Sequence, residues 1–201
     1  MSKYKKRVKY IRKFGPNLFG FTTKKVKKRK NKPGEHAFFM SNKTAVKESF
    51  LDRLQSKQKL KLLFCLNEYQ LRNYYKLVLK SQERDPIILL YNILNLRFDV
   101  LLYKHNFAKT IPQARQLIVH GFILINGLRM KTPGHLCKIG DVLLATSDIV
   151  LENVQQYNLG RVTFDETEKI VNGNVICVVQ KPKIIDVNIL SLIQQSFEYF
   201  F

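Results

Sequence analysis

Residues 107–144 constrain the fold of this chain more than any other stretch. Phe107-Ala108-Lys109 reads as a loop. Thr110 is an N-cap type, Gln113 stands at the capping-box position, and Pro112 is tolerated in the first helical turn. The spacing predicts a helix from Ile111 to about His120, ended by Gly121. Ala114, Leu117 and Ile118 share a face that would meet a core. Gln113, Gln116 and His120 share another arc, with Arg115 nearer the polar side. Phe122 to Ile125 reads as a strand, and Asn126-Gly127 is the strongest short hairpin signal. Leu128-Arg129-Met130-Lys131 begins the return strand. Pro133-Gly134 and Ile139-Gly140-Asp141 turn the chain, and Val142 to Leu144 forms a further short strand.

The stretch before it reads as helical. Arg53, Lys57 and Lys61 repeat at four-residue spacing, interleaved with Phe50 and Leu54, so one helix is expected to touch both core and partner. Asn67 can cap the next helix, with Gln70 completing the box and Leu66 stapled onto Leu71. Leu71, Tyr75 and Val78 form its apolar face; Arg72, Lys76 and Lys80 line another, as a contact surface or a solvated face. Asp85-Pro86 is a cap followed by proline at the first helical position. Ile87 to Leu96 is apolar nearly all round and predicts a buried helix, and Val100 to Leu102 continues a helical pattern.

Charge decides the class of partner. The chain carries 35 Lys plus Arg against 15 Asp plus Glu, a formal +20, in 201 residues of which 45% are hydrophobic. A core can be buried, but so large a charge calls for a polyanion, nucleic acid or anionic lipid. Residues 1–40 hold 14 basic residues against one acid, whereas residues 141–201 hold four against eight. The polyanion is therefore met by the first two-thirds, and binding should weaken steeply with salt. The densest run is Lys24-Lys25-Val26-Lys27-Lys28-Arg29-Lys30, read as RNA contact, with a solvated run or a localisation signal as the alternative. Residues 1–30 show no amphipathic period, and Gly15, Pro16 and Gly20 would break a long helix, so an arm ordered on RNA is expected. The longest apolar run is short and interrupted by Asn92 and Asn95, so no membrane span is expected. Cys65, Cys137 and Cys177 are too widely spaced for a zinc knuckle and read as inert thiols; no metal and no cofactor are expected.

Together these residues resemble the RNA-binding module of the S-four type. The pattern runs through Arg97-Phe98-Asp99, Phe107-Ala108, Thr110 to Ile118, His120-Gly121, Ile123, Asn126-Gly127, Pro133 and Lys138-Ile139-Gly140-Asp141. Pro33-Gly34-Glu35-His36-Ala37, Lys57 to Lys61, Glu68 to Tyr75 and the basic start Met1 to Lys13 resemble the upstream part of the S-four ribosomal protein family. The chain is identified as a member of that family, over roughly residues 1–144; residues 145–201 match poorly. The fold class implied is α+β, a mainly helical domain with an inserted S-four module of two helices and a small antiparallel sheet. The organisation expected is a basic arm at 1–40, a helical domain at 41–96, the module at 97–160, and a divergent segment at 161–201 packing on the helical domain.

The resemblance implies a structural constituent of the small ribosomal subunit. It would bind small-subunit rRNA directly at a multi-helix junction and support assembly and translational accuracy. Its neighbours would be the third and fifth small-subunit proteins and the region where mRNA enters. No membrane and no small-molecule substrate is implied. The alternative is a free-standing S-four RNA chaperone of the heat-shock type; such proteins lack the Pro33 to His36 arm and the Gln58 to Tyr75 helices. Enzymes that carry this module add a catalytic domain, which residues 145–201 are too few to supply, so no enzyme is expected.

The RNA-contact set combines the basic pattern with the resemblance. In the arm it is Arg7, Arg12, Lys13, Lys24, Lys25, Lys27, Lys28, Arg29, Lys30 and His36. In the helical domain it is Arg53, Lys57, Lys61 and Arg72, and in the module it is Arg97, Lys109, Thr110, Gln113, Arg115, Gln116, His120, Arg129 and Lys131. The helix beginning after Thr110 offers free N–H groups to a phosphate. Arg97 and Asp99 have mutual pairing or helix capping as the alternative, and His120 has capping of its own helix. A composition rich in Lys, Asn, Ile, Phe and Tyr and a family-like start at Met1 favour an organelle-encoded protein, expected in the mitochondrial matrix, with plastid or bacterial cytoplasm as alternatives. Replacing Lys27, Lys28, Arg29 and Lys30 with Glu should weaken rRNA binding and flatten the plot of affinity against salt in filter-binding assays; an unchanged slope would remove the arm from the interface.

Overall fold

Two hydrophobic cores organise the described residues, one inside a helical layer and one between a helix pair and a sheet. The computed structural model describes residues 7–15, 21, 33–34, 49–81, 83–145, 168–171, 174–179 and 186–200. The helical layer holds α1 (Arg7–Phe14), α2 (Ser49–Leu63), α3 (Glu68–Lys80) and α4 (Pro86–Asn95). The module holds α5 (Phe98–Lys104), α6 (Ile111–His120) and strands β1 (Ile123–Ile125), β2 (Leu128–Arg129) and β3 (Val142–Ala145). Strands β4 (Glu168–Val171) and β5 (Asn174–Val178) follow, and then α7 (Val187–Phe200).

Local signals set most of these boundaries. In α3, Gln70 Oε1 accepts from the Asn67 N–H at 3.1 Å, and Leu66 and Leu71 are both buried, as a staple requires. Asp85 precedes α4 with Pro86 in its first turn, yet its side chain makes no capping hydrogen bond, so proline and apolar burial set that start. α1 corrects the expectation that the arm carries no helical period. Ile11 is buried in the helical core, and Tyr10 and Phe14 pack partly against it, one turn apart. α1 stops before Gly15, whose φ is +89°.

The sheet is antiparallel throughout, in the order β2-β1-β3-β5-β4. Asn126 and Gly127, with φ of 51° and 80°, form the left-handed pair of a tight hairpin between β1 and β2. Asn126 also ties that turn to the next one. Its Nδ2 donates to Asp141 Oδ1 at 2.9 Å, and its Oδ1 accepts from the Val142 N–H at 2.8 Å. The Lys138 N–H completes the lock on Asp141 at 2.7 Å, and these two donors hold the Asp141 carboxyl below its ordinary value. Residues 133–137 return against the start of α5: the Phe98 N–H donates to His135 O at 2.8 Å and the Cys137 N–H to Leu96 O at 2.9 Å.

The segment expected at 161–201 as one packing unit divides. β4 and β5 extend the module's sheet past residue 160, because β5 pairs with β3 from Val142↔Val178 to Ala145↔Val175. Of the segment's described elements, α7 is the one that lies against the helical layer. There Phe197 and Phe200 pack on the buried Tyr75 ring at 4.7 and 4.6 Å, and Ser196 hydrogen-bonds the Tyr75 hydroxyl. Burial raises that hydroxyl's pKa to about 12, so it stays a neutral partner.

Gly121 ends α6 at φ +77°, and a Cβ there would come within 2.8 Å of Arg129 Cδ. Gly121→Ala should therefore cost about 1–2 kcal/mol of stability, read by urea denaturation, from left-handed backbone strain and a displaced Arg129 stem.

Candidate nucleic-acid interface

The first site residue the structure places is Arg97, and it places it inside. Arg97 is 2% exposed and Asp99 fully buried. Arg97 Nε and Nη2 donate to the two Asp99 oxygens at 3.0 and 2.9 Å, a bidentate pair, and Nη1 donates to the Tyr74 hydroxyl. Burial works against the guanidinium charge, but Asp99 and Tyr74 outweigh it and hold its pKa above the ordinary value. Arg115 Nε donates to the same Asp99 Oδ2 at 2.7 Å. Its Nη1 and Nη2 donate to the backbone carbonyls of Cys65 and Phe64 at 2.7 and 3.2 Å. Arg115 thus bolts α6 to the end of α2. Arg97 is removed from the expected contact surface and Arg115 is engaged within the protein, because a buried carboxylate binds both.

On the four-residue stripe of α2, Lys57 and Lys61 turn inward, while Arg53 stays half-exposed in a surface pair. Lys57 is 6% exposed; its Nζ donates to Glu68 at 2.7 Å and lies 3.8 Å from the centre of the Tyr199 ring. Lys61 donates to the other Glu68 oxygen at 2.8 Å, and Arg53 pairs with Glu198 at 3.0 Å. Burial works against Glu68's charge, but the two lysines outweigh it and lower its pKa. This stripe holds α7 and α3 to α2; the aromatic run that covers it lies too far along the chain for periodicity to reveal.

Several of the expected contact residues lie outside on the module. Lys109, Gln116, His120, Arg129 and Lys131 are exposed, and Gln113 is half-buried. Thr110 is buried: its hydroxyl accepts from the Gln113 N–H at 3.4 Å, and Gln113 Oε1 accepts from the Lys109 N–H at 2.9 Å. Thr110 and Gln113 therefore build the start of α6. At the other end the Arg129 stem lies over Gly121, and the His120 ring sits 5.8 Å from Phe122. The α6 C-terminus and the hairpin thus form one cationic and aromatic patch. Sequence reasoning missed its apolar member: Leu128 at the hairpin is 74% exposed. The Asn-Gly turn signal, which puts Leu128 just past the tip, was the available clue.

Arg72 is exposed on α3, as are Lys76 and Lys80 beside it. Arg12 and Lys13 lie on α1, Lys13 donating to Gln58 Oε1 at 2.9 Å. Arg7 begins α1, its side chain outside what is described. Lys24, Lys25, Lys27, Lys28, Arg29, Lys30 and His36 lie outside the described residues. Cys137 is buried, and burial with nearby Asp141 and Asp99 raises its pKa to about 12, an unreactive thiol. Among the described residues no cluster of acids, histidines and cysteines could hold a metal, and no helix is long and apolar enough to cross a membrane.

A helix pair on a tightly turned sheet, with cations and exposed rings on one side, defines a protein built around an S4 domain. The family model of that description matches residues 96–143. The small ribosomal subunit protein uS4c of Prototheca wickerhamii is 38% identical over 160 residues, covering 78% of this chain and 73% of the relative. The uS4c of Cyanophora paradoxa is 30% identical over 205 aligned residues, covering 96% and 98%. The uS4 of Synechococcus sp. (strain JA-3-3Ab) is 35% identical over 144 residues, covering 71% and 68%. The chain belongs to the small ribosomal subunit protein uS4 family. These names correct the expectation of the mitochondrial matrix: the relatives are chloroplast-type uS4c and bacterial uS4 proteins, which point to a plastid or bacterial ribosome.

Asp99→Asn should cost about 3–5 kcal/mol in urea denaturation, because it strands a buried guanidinium. Arg115→Ala should cost less, its side chain being 30% exposed; a variant with wild-type stability would return Arg115 to the RNA face.

Proposed function

We propose that this chain is a structural, non-catalytic component of the small subunit of a plastid or bacterial ribosome, and that it binds small-subunit rRNA directly. Membership of the uS4 family supports the ribosomal role. The observation that carries direct RNA binding is the exposed patch of Gln116, His120, Arg129 and Lys131 on the S4 domain, with Lys109 exposed at the opposite end of α6. Lys and Arg there meet phosphates, while Phe122 and Leu128 offer surface to unstacked bases. The Arg72, Lys76 and Lys80 face of α3 supplies a second set of cations, and the arm a third.

The resemblance extends the proposal to early assembly on a multi-helix junction and to translational accuracy. It also extends it to contacts with the third and fifth small-subunit proteins and the region where mRNA enters. The heat-shock type of chaperone is set aside, because the Cyanophora relative aligns along 96% of the chain, well outside the S4 domain.

Replacing Arg129 and Lys131 together with Glu should weaken binding of a small-subunit rRNA transcript and reduce the log–log salt slope by about 1 per cation lost. The thermal midpoint should stay near wild type, both side chains being exposed. An unaltered slope would move the interface off this patch.

A further inference from the structure

The face of α3 that turns away from the core is a ridge of free cations ending in a bare ring. Leu71, Tyr75 and Val78 are buried, and Tyr69, Arg72, Asn73, Lys76 and Lys80 are exposed on the opposite side. At helical periodicity these five fall within an arc of about 100°. Glu68 is the one acid of α3, and Lys57 and Lys61 hold it at the flank. Nothing on the helix therefore neutralises the ridge. Arg72, Lys76 and Lys80 make no ion pair among the described residues.

Tyr69 stands at the start of this line and is 75% exposed. It has neither a hydrogen bond nor a ring contact among the described residues, whereas the Tyr74 and Tyr75 hydroxyls on the same helix are both engaged. The cations follow it in steps of about 6 Å along the helix axis, comparable to the spacing of successive phosphates along an extended strand. A cationic track beside an aromatic platform is the recognition chemistry of an unpaired strand: cations meet the backbone, and the ring takes a base face. A duplex offers the cations its phosphates but gives the ring nothing, because its base faces are already stacked.

Resting on the rRNA-binding reading above, we infer that the outer face of α3 binds an unpaired stretch of rRNA, with one base stacked on Tyr69 and the backbone running along Arg72, Lys76 and Lys80. This face is separate from the hairpin patch of the S4 domain, so each can fail without the other. The chain contains no tryptophan, so Tyr69→Trp supplies a single fluorescent reporter at the platform itself. Its emission is followed on addition of a small-subunit rRNA transcript, a twelve-residue oligouridylate (a length of about 12 spans one such site) and an RNA duplex of the same length. Transcript affinity at several salt concentrations and the thermal midpoint are measured for wild type, Tyr69→Ala and Tyr69→Phe.

The transcript and the oligouridylate should quench the reporter, and the duplex should not. Tyr69→Ala should bind the transcript about tenfold more weakly with an unchanged salt slope, because a stacking surface and no charge has been removed. Tyr69→Phe should bind as wild type does, and both variants should keep the wild-type midpoint, the side chain being exposed. Replacing Lys76 and Lys80 with Gln should lower the slope by about 1 per cation; an unchanged slope overturns the backbone track. Quenching by the duplex equal to that by the oligouridylate overturns the unpaired strand. A transcript that binds without quenching, together with wild-type affinity in Tyr69→Ala, overturns the platform and leaves rRNA binding to the S4 domain. A wild-type chain that ignores the transcript overturns the proposed function itself.

Discussion

Everything in the module hangs on a carboxylate that water does not reach. Asp99 is bound by two guanidiniums, one from the turn before α5 and one from α6. Those arginines carry the connection outward, Arg97 to Tyr74 on α3 and Arg115 to the carbonyls that end α2. Taken out of water singly, any of these charges would be prohibitive; bound together and bidentate, they are tolerated and directional. The consequence is orientation. Apolar packing alone leaves two layers free to slide, whereas a fork of hydrogen bonds fixes how the S4 domain faces the helical layer.

The same economy explains why a count of cations overstates the binding surface. The chain reads as uniformly basic in its first two-thirds, yet Arg97, Arg115 and Lys57 point at partners within the protein, and Lys61 and Arg53 pair with Glu68 and Glu198. An arginine or lysine beside an acid in three dimensions is a building element. One beside a glycine turn and an exposed ring, as Arg129 is beside Gly121, with His120 and Phe122 next to it, is available to a partner.

Legibility followed the distance over which each decision is made. The cap at Thr110, the left-handed stop at Gly121 and the hairpin at Asn126-Gly127 are settled within a few residues, and all three stood in the sequence. The staple of Leu66 on Leu71 belongs with them. The decisions that were not legible involve partners far along the chain. Arg115 finds carbonyls fifty residues away, and Lys57 finds a ring on α7. Four-residue spacing shows that Arg53, Lys57 and Lys61 share a face, but not which neighbour covers it. The short α1 was missed because four apolar residues in a basic run give a weak period, and β5 because Val175 to Val179 is apolar without alternation.

The closing of the helical layer by α7 has a consequence in time. α2, α3 and α4 leave the synthesising ribosome early, but the helix that covers Tyr75 and Lys57 is made only after the whole S4 domain and its sheet. Until then the α2–α3 seam presents an uncovered aromatic and a lysine whose ring partners do not yet exist. Chains of this kind tend to fold as they are made. Here the order of synthesis requires the inserted domain to finish before the one that hosts it, so the nascent chain holds a completed RNA-facing domain on a host layer still waiting for its last helix.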